Sequence, residues 1–248
     1  MKSFFYLLTA FVVLIACSEK KSTENANDTT KTIQRDSTTQ TAVMYLEDVL
    51  DCRDLKGLET KYGVENVQKE ALVQTGDGDF KVTKLFPDTP KEVEVYWKDG
   101  KDYLLIQDVI VKGGLSKMSD VAPSSIWKSK EGLRLGMKMS EVITLNSKNF
   151  TITGLGWDLG GNVVSWEGGK LANKNISIRF NDYSGNNGGL NEQEYNAISG
   201  DREFDTQHPS IQKLNPIVDE LSVYLKPDID ATLGQKMTKE VEQKQIKR

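Results

Sequence analysis

The residues in this chain whose chemistry could support catalysis are few. There is one histidine, His208 in "DTQHPSIQKLNP", and two cysteines, Cys17 and Cys52. Zinc hydrolysis needs several imidazole or thiolate ligands, and neither H-E-x-x-H nor a paired-cysteine motif occurs. A Ser-His-Asp centre would have to use His208, yet no G-x-S-x-G elbow accompanies any serine. His208 precedes Pro209, which favours an extended or turn conformation and places it in a loop. Cys52 lies in an amphipathic stretch and is expected to be a small buried apolar group rather than a nucleophile. Glycoside hydrolysis needs two placed carboxylates, and among 36 Asp and Glu residues no two stand out.

Two glycine-rich stretches could hold a ligand. In "GLGWDLGG", Gly154–Gly161, the first two glycines have dinucleotide-loop spacing, but Leu159 occupies the sixth position and "NVVSWEGG" follows. Without a helix N-terminus there is no row of N–H groups to receive a phosphate. The stretch is expected to be the turn of a hairpin, Phe150–Trp157 rising, Asp158–Gly161 turning and Asn162–Trp166 returning. Gly154 and Gly156 would then share a strand face and leave a groove for Trp166. The other stretch, "NDYSGNNGGLNEQE", puts Asp182, Ser184 and Asn186 at the first three ligand positions of a calcium loop. Asn187 and Gln193 stand where that loop needs Gly and Glu, so a solvated turn is the better reading, with a weak calcium site as the alternative. Trp127, Trp157, Asp158 and Trp166 are the candidate binding residues, able to stack on a sugar or a partner side chain.

The elements that must position these residues repeat. "VYWKDGK" around Trp97 and "VSWEGGK" around Trp166 share an aliphatic residue, the Trp, a Gly and a Lys at an offset of 69 residues. Asp99-Gly100 and Gly168-Gly169 signal tight turns. At the same offset, the alternating Val109 and Val111 fall on Ile178 and Phe180. Upstream, Leu55, Leu58 and Tyr62 have helical spacing between an Asp54 cap and a Gly63 stop. Ser140 is expected to cap "SEVITLN" after the strand-like "GLRLGMKM". Strands follow at Val67–Val73 and at Phe150–Trp157. "TGDGDFKVTKLFPDTP", with Pro87 and Pro90, holds the surplus residues of the first half as a loop or edge. The expected fold is α+β, a tandem repeat of a short helix packed on an antiparallel β-meander. The first repeat covers about 46–112 and the second about 126–182, with a closing strand at about 217–225, all in one domain over 42–226. A charged tail, 227–248, follows.

The N-terminus gives an address. "MKSFFYLLTAFVVLIAC" has one Lys before an apolar run too short to span a bilayer permanently, and reads as a signal peptide over 1–16. Leu14-Ile15-Ala16-Cys17 resembles the lipobox of bacterial lipoproteins. The resemblance implies cleavage before Cys17 and a diacylglycerol and acyl modification on it, with no other cofactor. Ser18, where inner-membrane retention signals carry Asp, favours the outer membrane of the cell envelope by analogy. Residues 18–41 are almost devoid of apolar side chains and form a tether, with a mean reach of roughly 25–30 Å. Losing Lys2 with the leader takes the net charge from −4 to −5, with no basic footprint for nucleic acid. With Cys17 acylated, Cys52 alone cannot form an internal disulfide.

Two further resemblances concern the body. "GLRLGMKMSEV" resembles the entry of small envelope lipoproteins, including the outer-membrane assembly accessory lipoprotein, and the tandem repeats of beta-lactamase inhibitor proteins. The series "LFPDTP", "IWKSKEGLRLGMKMSEV", "LNSKNF", "GLGWDLGG" and "SWEGGKL" is similar to a family of lipoproteins or secreted proteins of Gram-negative bacteria. It implies a fold and an address but brings no catalytic residues. The expected function is a lipid-anchored, non-catalytic module that binds an envelope protein or surface polymer. The alternative is a carbohydrate-binding or glycan-hydrolysing protein using an exposed, Trp-bearing sheet face.

Overall fold

The computed structural model describes residues 43–75, 78–98, 102–114 and 124–226. The leader, Cys17, the tether, the Asp99-Gly100 turn and the 227–248 tail lie outside them.

Helix α2 (Leu55–Tyr62) forms where its apolar spacing and punctuation require it. The Gly57 N–H donates to the Asp54 carboxylate at 2.7 Å, and Gly63 ends the helix at φ +88°. A one-turn helix that the sequence reading did not anticipate, α1 (Leu46–Leu50), precedes it and buries Leu46 and Val49. Four antiparallel strands follow: β2 (Val67–Thr75), β3 (Gly78–Leu85), β4 (Val93–Trp97) and β5 (Ile106–Lys112). Strand β3 corrects an expectation, because half of the stretch read as a surplus loop or edge is an eight-residue strand paired on both sides. Pro87 and Pro90 come after it, in the turn to β4.

The last described strand, β11 (Ile217–Tyr224), falls where a closing strand was expected and pairs with β5 on one side. On its other side lies β9 (Ile176–Asn181), giving a six-stranded sheet of order β2-β3-β4-β5-β11-β9. Period-two side chains divide its faces. Val95, Val109, Val111, Ile178, Phe180, Leu221 and Val223 all enter one hydrophobic cluster together with Leu46, Val49 and Leu58 from the helices. Charged and hydroxyl residues alternate with them on the opposite face.

A smaller antiparallel sheet, order β10-β7-β8, comprises β7 (Thr151–Thr153), β8 (Val163–Ser165) and β10 (Glu203–Asp205). The parallel pair β1 (Met44–Tyr45) and β6 (Trp127–Lys128) ties the start of the domain to its middle. Helix α3 (Met139–Asn146) is capped differently from the expectation. Ser140 lies inside it, and the Glu141 carboxylate accepts from the Lys138 N–H at 2.8 Å. Two short helices, α4 (Glu192–Asn196) and α5 (Pro209–Leu214), and two 3-10 turns, Val64–Asn66 and Asn187–Gly189, complete the described elements.

"GLRLGMKM" is not a strand. Leu133, Leu135, Met137 and Met139 are buried as their alternation implies. However, Gly132 (φ +95°) and Gly136 (φ +75°) turn the backbone. Only its end, from Gly136, hydrogen-bonds along the start of β11. The fold is thus α+β and mostly antiparallel sheet. Its halves deliver β5 and β9 to opposite sides of β11, both antiparallel to it. Upstream they differ, because β4 pairs with β5 whereas β8 pairs with β7 in the smaller sheet. No helix among the described residues is long and apolar enough to cross a membrane.

Candidate functional site

The Gly154–Gly161 stretch is a loop between β7 and β8, not a strand ending in a tight turn. Its backbone closes on the segment after α4: Leu155 N–H donates to Ile198 O at 2.9 Å, Gly200 N–H to Leu155 O at 3.1 Å and Gly154 N–H to Arg202 O at 2.7 Å. A Cβ on Gly154 would meet Gly200 O at 2.5 Å, and one on Gly161 would meet Phe180 O at 2.1 Å. These glycines are therefore needed where backbone runs against backbone. The expected groove for Trp166 is absent, because Gly154 and Gly156 do not share a strand face. Trp166 lies instead against Phe150, with ring centroids 5.1 Å apart.

The candidate binding residues do not converge. Trp127 has no exposed surface, and its indole N–H donates to Lys91 O at 2.9 Å. Tyr62 and Phe86 surround it edge-on and tilted. Trp166 is half-buried beside the core. Trp157 is half-buried and donates to Gly154 O at 3.0 Å, while Asp158 is exposed. Only Trp157 and Asp158 offer a ligand a shared surface, on one loop. Asp182, Ser184 and Asn186 serve their own turn. Ser184 N–H donates to Asp182 Oδ1 at 2.8 Å, and Gly188 N–H to Ser184 Oγ at 2.6 Å. Among the described residues no group of three or more His, Cys, Asp or Glu is placed to hold a metal. His208 caps α5, its Nδ1 accepting from Ser210 N–H at 3.2 Å. Burial pushes the half-buried Cys52 thiol up, away from a nucleophilic thiolate.

Sequence reasoning missed a polar constellation on the large sheet's face opposite the core. Strand register sets three rows across it. Tyr96 (β4), Asp108 (β5) and Tyr224 (β11) are direct neighbours, as are Lys112 (β5), Glu220 (β11) and Arg179 (β9). Between these rows run Glu94, Ile110, Ser222 and Ser177. Lys112 Nζ sits 2.7 Å from Glu94 Oε2, with side-chain exposures of only 13% and 8%. Tyr96 donates to that same oxygen at 2.9 Å. The pair is buried, so its partners matter far more than at a surface.

Asp108 differs from Glu94. Its Oδ1 is shut off from solvent and has no hydrogen-bond partner of ordinary geometry among the described residues. Burial raises its pKa to about 7, against the opposing pull of the Ser222 hydroxyl, the Val109 N–H and Lys112, while Glu220 adds to the rise. Desolvation also raises Glu220. Burial and the Glu94 charge push the Tyr96 phenol well up. The face's sequence signal was alternation, with Glu94 and Tyr96 on β4, Asp108 and Lys112 on β5, and Glu220, Ser222 and Tyr224 on β11 at every second position apart from Ile110. That same pattern marks any solvated strand face.

Fold and face together define a sheet-rich α+β body with a buried polar cluster outside its core. No protein-family model, characterised protein or solved structure matches this chain.

Proposed function

We propose that this is a lipid-anchored cell-envelope protein, held at the outer membrane by acyl chains on Cys17, with a non-catalytic body that binds a partner protein or surface polymer. The anchorage rests on the lipobox-like Leu14–Cys17 and the polar tether behind it. Multiple acyl chains would hold the body at the membrane far more firmly than one chain. The observation that carries the binding role is the polar face of the large sheet, where Glu94, Lys112, Asp108, Glu220 and Arg179 gather outside the core. The indoles support the same reading, since Trp97 and Trp127 are consumed in packing. A duplicated helix-and-meander unit belongs to this proposal, on the strength of the two Trp–turn motifs and of the return strands flanking β11.

A second reading is a carbohydrate-binding or glycan-hydrolysing protein. Two features favour it: Trp157 and Asp158 share a loop, and Glu94 and Asp108 are carboxylates in contrasting environments.

Intact-mass spectrometry of the membrane-extracted protein tests the anchorage. The mature chain is expected to begin at Cys17 carrying acyl mass, and Cys17→Ala to leave the membrane fraction. An unmodified N-terminus elsewhere would refute it. Capture from envelope membranes, set beside a glycan array, separates the two binding readings. Specific sugar binding with no partner protein would favour the second.

A further inference from the structure

Among the described residues, three buried apolar side chains stand outside the core cluster that takes in all the others: Ala71 (7% exposed), Val82 (1%) and Leu105 (3%). Strand register puts the first two on the polar face of the large sheet. Ala71 is opposite Val82, which lies two residues from Lys84, and Lys84 is opposite Glu94. Leu105 directly precedes Ile106, which enters the core, and Lys98 N–H donates to Leu105 O at 3.1 Å, so the strand pairing runs on to it. Phe80, opposite Val73 on the same face, is exposed at the margin of this patch. The described helices supply no cover here, because Leu46, Val49, Leu58, Met139, Val142 and Ile211 all belong to the core cluster. Aliphatic side chains enclosed to this degree on a sheet face need something packed over them.

We propose that the C-terminal segment, residues 227–248, packs back over this patch and sets Leu233, Met237 and Val241 against Ala71, Val82 and Leu105. The place where the chain leaves the described residues selects this occupant. Tyr224 pairs with Asp108, and Leu225 N–H donates to Gln107 O at 3.0 Å. One further step along that pairing brings the chain to Ile106 and Leu105, at the edge of the patch. Leu233, Met237 and Val241 recur at every fourth position, the spacing of one helix face, whereas Gln235 and Lys239 fall on the opposite side. As a helix the 22 residues extend roughly 30 Å. The four strand spacings from β11 to β2 come to roughly 20 Å, so the segment is long enough to reach Ala71. The inference concerns the chain's own cover and depends neither on the anchorage nor on a partner.

Hydrogen–deuterium exchange of the full chain, read by mass spectrometry of its peptides, is the test. In the wild-type protein the amides of 233–246 are expected to exchange about tenfold or more slowly than those of an unstructured chain. Val82→Asp, made in the patch rather than in the segment, should bring them to the unstructured rate. Should Val82→Asp fail to fold, Phe80→Asp at the exposed margin serves instead. Leu72→Asp is the control, since Leu72 is exposed on the other side of the same hairpin, opposite Lys81, and the segment should stay protected. From the segment's side, Leu233→Ser with Met237→Ser and Val241→Ser should abolish protection. Gln235→Ser with Lys239→Ser, on the far side of the helix, should retain it.

A segment that exchanges at the unstructured rate in the wild-type protein overturns the proposal and gives the patch to another occupant. So does protection that survives both Val82→Asp and Phe80→Asp, or that Leu72→Asp removes equally. Sedimentation of the wild-type chain as a dimer that Val82→Asp dissolves would name a second copy as the cover and overturn it as well.

Discussion

Asp108 and the Glu94–Lys112 pair are both buried charge on one sheet face, yet they answer to opposite substitutions. Asp108 holds its proton up to about pH 7, against an ordinary value of 3.8. Between about pH 4 and 7 the folded chain therefore binds more protons than the unfolded one, so this group's contribution to stability falls as pH rises and is flat above. Asp108→Asn should remove that slope and stabilise the protein by about 1–3 kcal/mol at pH 8. Chemical denaturation of both proteins at pH 4.5, 6 and 8 measures the difference, and an unchanged slope in the variant would count against it. The pair behaves the other way. Lys112→Met strands Glu94 and is expected to cost about 3–5 kcal/mol, whereas adding Glu94→Leu should restore most of it. A double variant as unstable as the single would show that the pair is not coupled.

Loops and strands differed in how much of them could be read from residue types. Helix α2 was legible because Asp54 and Gly63 act locally. The inner faces of β5, β9 and β11 were legible because apolar alternation survives any pairing. "GLRLGMKM" misled because alternation reports which side chains are buried, whereas a strand also needs a ladder, and two glycines at positive φ prevent one. The Gly154–Gly161 loop was legible as glycine demanded by backbone geometry, but its partner, the segment after α4, is over forty residues away and invisible to local rules. Its glycines make separable predictions. Gly161→Ala forces a Cβ to within 2.1 Å of Phe180 O at φ +79° and should destabilise by about 3 kcal/mol or more. Gly200→Ala, at φ +91° with nothing within 4 Å of the added carbon, should cost only about 1–2 kcal/mol. Equal losses in urea denaturation would mean that conformation alone, not close approach, keeps glycine at 161.

At the scale of the whole molecule, register is what builds the candidate site. Glu94, Asp108, Glu220 and Arg179 lie on four strands, and only the addition of β11 and β9 beside β5 brings them onto adjoining rows. That non-local pairing explains why the acids did not stand out in the sequence, while the tryptophans did. Indoles draw attention by type, yet here they chiefly fill the interior. Trp127→Ala should accordingly cost about 3–5 kcal/mol by leaving a core cavity, and Trp157→Ala distinctly less, as thermal melts would report. Under the proposed function, binding occurs on the acidic face of the large sheet and not on the Trp157–Asp158 loop. Quantitative capture of partner protein from envelope membranes by the wild-type chain, Asp108→Asn and Trp157→Ala tests it most directly. Loss of the partner with Asp108→Asn and its retention with Trp157→Ala is the predicted result. Retention with Asp108→Asn and loss with Trp157→Ala would contradict it.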